Sequence, residues 1–93
     1  MTPLYTSISA CVLLLEKSPA PDALQLEFLK AHLGEAQVAS TNEIEQLAVE
    51  GLQETFDDMV AEAEPSHRAN VLELLKTSIL AYEVQLLKEG QHQ

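Results

Sequence analysis

Basic residues are scarce in this chain. Five Lys and Arg stand against fifteen Asp and Glu, a formal net charge of −10 over 93 residues. A phosphate-binding surface needs clustered cations, so nucleic-acid binding through the backbone is excluded. One cysteine cannot form an internal disulfide, which fits a reducing compartment. Tryptophan is absent, and three glycines and four prolines supply no collagen-like, linker-like or proline-rich segment. The apolar run Cys11–Leu15 falls far short of the about 20 residues a bilayer span requires. No Lys or Arg precedes Lys17, so the basic opening of a signal peptide is missing. Ile8-Ser9-Ala10-Cys11 has the look of a lipoprotein cleavage box, but its apolar run follows the cysteine instead of preceding it. A soluble cytoplasmic protein is expected, with no membrane partner.

Apolar residues make up 46% of the chain, too many for a disordered acidic tail. At this length one domain is expected, with folding burying roughly 60–65% of the unfolded surface. No stretch alternates with period two, whereas three-to-four spacing recurs throughout. Thr2-Pro3 opens a helix over residues 3–17, with Leu4, Ile8, Cys11, Val12 and Leu15 on one face. Ser18-Pro19-Ala20-Pro21 ends it. Asp22 or Ser18 caps a second helix over 22–33, striped by Leu26, Leu29 and Leu33, with Leu24 and Phe28 beside them. Gly34 is placed to end this helix in the left-handed conformation, leaving 35–39 as a turn or an early start to the next one.

Ser40 and Glu43 have capping-box spacing for a third helix over 41–63. Its predicted buried face is Ile44, Ala48, Leu52, Phe56, Met59 and Ala63. A fourth helix, 66–88, stops near Gly90 and presents Val71, Leu74, Leu75, Ser78, Ile79, Tyr82 and Leu86 inward. Residues 91–93 are expected to fray. Short connections favour antiparallel neighbours. The predicted fold is all-α, a compact antiparallel four-helix bundle in a single domain over 1–93.

Charge is distributed unevenly over these helices. Residues 34–64 hold nine acids and no base, so nearly all the imbalance lies on and around the third helix. At 100° per residue, Glu50, Glu54, Asp57, Asp58 and Glu64 fall within about 60° of Glu43, opposite the apolar stripe. Like charges three or four residues apart destabilise a helix by about 0.2–0.5 kcal/mol per pair. The dipole further disfavours Asp57, Asp58, Glu62 and Glu64 in the C-terminal half. A sequence that works against its own helix points to function there. Leu47 sits within the acidic arc, an apolar anchor with a charged rim. The candidate partner-binding residues are therefore Glu43, Leu47, Glu50, Glu54, Asp57 and Asp58, facing a protein with a basic surface. The competing reading is a solvated face that only keeps the chain soluble. On the fourth helix, Leu80, Val84 and Leu87 form a second apolar row, either buried centrally in the bundle or available for self-association as a homodimer.

Chemistry-bearing motifs are missing. His32, His67 and His92 have no i,i+3 or i,i+4 histidine partner, so no metal site is expected. His32 reads as a favourable charge near a helix end, and Cys11 as a core residue on the first apolar stripe. Asp57-Asp58 lacks the glycine-bearing spacing of a calcium loop. No nucleophile elbow or glycine-rich phosphate loop occurs. No catalytic residue, no cofactor and no enzymatic activity are expected.

With its opening Met1-Thr2-Pro3-Leu4 and Phe56-Asp57 late in an amphipathic helix, the chain resembles the small, acidic, all-helical immunity proteins of bacterial contact-dependent and type VI secretion toxins. The resemblance is architectural and transfers no site residue by residue. It implies tight binding to a cognate toxin domain and occlusion of that domain's active site. Two other functions remain open, a homodimeric helical adaptor or secretion chaperone, and a nucleic-acid mimic.

Overall fold

A computed structural model describes residues 2–91 of the chain. Met1, His92 and Gln93 lie outside the described residues, and with them most of the tail expected to fray. The described residues form four helices: α1 (Pro3–Lys17), α2 (Ala23–Ala39), α3 (Glu43–Ala61) and α4 (Pro65–Gln91).

The N-termini of α1, α2 and α3 have local chemical causes. At α1, Thr2 Oγ1 accepts the Tyr5 N–H at 3.1 Å, and Pro3 occupies a position whose N–H would have no helical partner. At α2, Asp22 is the cap and Ser18 is not. The Gln25 N–H donates to Asp22 Oδ1 and the Asp22 N–H donates to Gln25 Oε1, both at 2.9 Å. Ser18 instead closes α1, and its hydroxyl accepts from the Gln25 amide.

The second helix is longer than its sequence pattern predicts. It runs through Gly34, and no described residue has a positive φ, so Gly34 does not act as a left-handed stop. Ala36 is fully buried on the same side as Leu33, and burying that extra turn outweighs the about 1 kcal/mol helix penalty of a glycine. The extension moves the next start. Ser40 becomes the C-cap of α2, its hydroxyl donating to the Ala36 carbonyl at 2.9 Å. The predicted Ser40/Glu43 capping box is therefore not formed. Asn42 caps α3 in its place, accepting the Glu45 N–H at 2.9 Å, while Glu45 Oε1 accepts from both the backbone and the hydroxyl of Thr41 at 2.8 Å. At the other end, Gly90 and Gln91 are helical, so α4 passes the expected stop.

The helices form an all-α four-helix bundle in which each contacts its two sequence neighbours around a ring, and α4 closes the ring on α1. Among the described residues, α1 and α3 sit on one diagonal of the ring and α2 and α4 on the other, with no Cα pair across either diagonal within 8 Å. Adjacent helices run antiparallel. Pro3 and Ser7 at the start of α1 share a cleft with Val38 and Ala39 at the end of α2. At the opposite end, Ala20 and Pro21 meet Ala63 and Pro65.

The core combines Leu4, Ile8, Cys11 and Leu15 of α1 with Leu29, Leu33 and Ala36 of α2. Val49, Leu52, Phe56 and Met59 of α3, and Leu75, Ile79, Tyr82 and Leu86 of α4, complete it. Two predicted inward residues point out instead. Ile44 is 77% exposed and Leu74 is 58% exposed. Val49, absent from the predicted stripe, is fully buried and turns the inward arc of α3 away from Ile44. Ala63 lies beyond the end of α3 and is exposed. Leu80, Val84 and Leu87 are also exposed, which removes the central-burial alternative for that row.

Candidate protein-binding face

The outward side of α3 is set by its inward side. Val49, Leu52, Phe56 and Met59 are buried, and residues about half a turn away face solvent. Glu43, Leu47, Glu50, Glu54, Asp57 and Asp58 are all exposed and all lie on α3. The helix thus gathers the six predicted residues on one continuous strip, about 22 Å long from Glu43 to Asp58 at 1.5 Å per residue. Glu64 does not belong to it. The helix ends at Ala61, and Glu64 stands in the turn, accepting from the Ser66 hydroxyl at 3.2 Å. Glu62, also in the turn, accepts the Glu64 N–H at 3.1 Å.

The strip carries its charge unneutralised. Among the described residues, Lys76–Glu73 within α4 is an ion pair and His32–Glu35 within α2 becomes one when the imidazole is protonated, and neither involves α3. Lys30 of α2 shares a shallow cleft with Asp57, alongside Leu33, Gln53 and Phe56, without forming an ion pair. Arg68 of α4 is the cation bound to α3, and its guanidinium is directed to backbone carbonyls. Nε donates to Met59 O at 3.2 Å and Nη2 to Val60 O at 3.0 Å. These bonds place positive charge at the negative end of the helix dipole, where the local sequence has only acids.

Leu47 is 59% exposed within the strip, as the sequence pattern requires. Ile44, three residues earlier, is exposed beside it, and the pattern missed that residue by assigning it to the core. The signal that could have found it is Val49, whose inclusion in the buried arc turns Ile44 sideways. Ile44 and Leu47 together form an apolar edge at the N-terminal end of the acidic strip.

Cys11 and Tyr82 are titratable groups buried inside the bundle. Burial pushes the Cys11 thiol up from 9.0 to about 12, with the Glu35 charge adding to the effect. Burial likewise raises the Tyr82 phenol from 10.0 to about 12, helped by the charges of Glu45 and Glu89. Among the described residues no helix is long and apolar enough to cross a membrane, and no three His, Cys, Asp or Glu side chains are grouped to hold a metal ion. No protein-family model, curated protein or solved structure matches the chain.

Proposed function

We propose that this protein is a protein-binding inhibitor of the immunity-protein kind, which neutralises a toxin domain by laying the acidic face of α3 across a basic substrate-binding cleft. The observation that carries the proposal is the strip Glu43–Asp58, whose carboxylates are exposed, are held on one continuous helix and form no ion pair among the described residues. Like charges at Glu50–Glu54, Glu54–Asp57 and Glu54–Asp58 repel one another in the free protein. A basic partner relieves that repulsion on docking. The charge accelerates encounter, and desolvated contacts at Leu47 and Ile44 slow dissociation. Inhibition is steric, since the face holds no group placed for catalysis. The helix is also anchored independently of its outer side. Four buried residues and the Arg68 clamp fix it, so the strip can be altered without unfolding the bundle.

The test is a pull-down from cells of the native host, using the intact chain and the triple variant Glu50→Lys, Glu54→Lys, Asp57→Lys as parallel baits. Capture of a protein with a basic cleft by the intact chain alone, together with loss of that protein's activity on binding, supports the proposal. Equal capture by both baits removes the acidic face from the mechanism.

A further inference from the structure

The face opposite α3 has the reverse character. Between Thr2 and Leu15, α1 has no charged residue, and between Lys76 and Lys88, α4 has only Glu83, which is half-buried. Over their full lengths both helices are neutral. One acid balances one base in α1, and three balance three in α4, so the whole −10 belongs to the residues between them. Large apolar side chains on an uncharged helix face mark a candidate contact surface. Here Leu13 remains 53% exposed, and Leu80, Val84 and Leu87 of the adjoining helix are 48%, 43% and 40% exposed.

These residues share one side of the bundle. Leu80 lines a shallow cleft with Val12 and Glu16 of α1, so its side of α4 is the side turned toward α1. Leu87 and Val84 lie within about 40° of Leu80 around α4, and Leu13 lies about 60° from Glu16 around α1. The apolar surface therefore spans both helices, and α1 is the helix diagonal to α3 in the ring.

We infer that this α1/α4 face binds a second copy of the same chain, forming a two-fold dimer. Charge decides the occupant. A partner drawn by electrostatics goes to α3, whereas the α1/α4 face carries only scattered charge of both signs, with Glu16, Glu73 and Lys76 around the Leu80 cleft. Two copies of a −10 chain repel most where their α3 helices approach, and through the α1/α4 face they meet with those acidic helices turned outward. The spacing 80, 84, 87 is also the four-three step of a coiled-coil seam, which is self-complementary about a two-fold axis. The area is sufficient for a weak dimer. Fifteen residues of α1 give a length of about 22 Å, and two packed helices are roughly 20 Å wide. That footprint is about 440 Å² in projection, roughly half of the about 800 Å² per partner of a standard interface, and so fits a weak dimer. The inference is independent of the inhibitor reading, and its test needs no toxin.

Sedimentation equilibrium of the full chain is expected to show a monomer–dimer equilibrium with a dissociation constant of about 1–100 μM. Added salt should leave it unchanged or tighten it, because screening removes repulsion and breaks no ion pair. Leu80→Glu is expected to weaken the dimer more than about tenfold while circular dichroism shows an intact helical fold. Val60→Glu, on the exposed side of α3, should leave the monomer–dimer equilibrium unchanged. A second readout does not depend on tolerance of a buried charge. Native Cys11 is inaccessible, so Val84→Cys should oxidise to a disulfide-linked dimer, whereas Ala61→Cys at the end of α3 should not. A chain that stays monomeric at about 100 μM, a dimer unaffected by Leu80→Glu, or crosslinking equal at both cysteines would overturn the inference.

Discussion

Arg68, in the first turn of α4, donates its Nε–H to the carbonyl of Met59 at 3.2 Å, in the last turns of α3. A second bond from the same guanidinium reaches Val60 O at 3.0 Å. The C-terminus of α3 carries acids where a helix favours cations, and this side chain supplies the missing charge from the next helix. Arg68→Ala should lower unfolding stability by about 1.5 kcal/mol, the low end for hydrogen bonds of charged groups because the residue is exposed. Arg68→Lys should recover only part, since an ammonium lacks the planar fork. Urea denaturation followed by circular dichroism reads both values.

Repulsion along the acidic strip has its own signature. Glu54 stands four residues from Glu50 and from Asp58, and three from Asp57. Glu54→Gln relieves all three pairs and should raise stability by about 0.5–1 kcal/mol at low salt. The gain should shrink as salt screens the unmodified chain. Thermal melts at two ionic strengths test this. A loss of stability at low salt would mean that the carboxylates find cations in solution that the bundle does not show.

Gly51 occupies an exposed position inside α3, and a Cβ there would meet nothing within 4 Å. Gly51→Ala should therefore stabilise the helix by about 0.5–1 kcal/mol without disturbing packing. A destabilised variant in urea titration would show that this turn needs glycine for something beyond the bundle.

The thiol and the phenol set the alkaline limit. Both groups are neutral in the folded state, and burial raises both, Cys11 from 9.0 and Tyr82 from 10.0, each to about 12. The folded chain then holds protons that the unfolded chain releases. Their contribution is fully present below about pH 9 and is lost as pH rises toward about 12. Stability should fall across that window, and Cys11 should resist thiol reagents at pH 8 until denaturant is added. Tyr82→Phe should remove part of the alkaline slope. It should also leave neutral-pH stability unchanged or raise it by up to about 1 kcal/mol, because the buried hydroxyl has no hydrogen-bond partner among the described residues.

Much of this bundle is legible in the residue pattern. The inward rows Leu4–Leu15, Leu29–Leu33 and Leu75–Leu86 follow from three-to-four spacing, and Thr2-Pro3 marks the first turn of α1. Boundaries set by glycine and serine were less legible. Gly34 and Ser40 both suit a helix end by local chemistry. The buried methyl group of Ala36 decides between them, and its burial depends on the rest of the bundle. Ile44 and Leu74 were misassigned for a related reason. Each lies roughly 100° around its helix from the centre of the buried arc, on a flank that stays exposed. The acidic strip was legible because Glu43–Asp58 lies on one unbroken helix whose opposite face is buried.

The most direct test of the acidic face is the association rate of a captured partner, measured by stopped flow over a range of salt. Electrostatic docking on α3 predicts a fast rate for the intact chain that falls steeply with salt, and a rate at least about tenfold lower and nearly salt-independent for the Glu50→Lys, Glu54→Lys, Asp57→Lys variant. Equal rates and equal salt dependence for the two proteins, with both still folded, would contradict it.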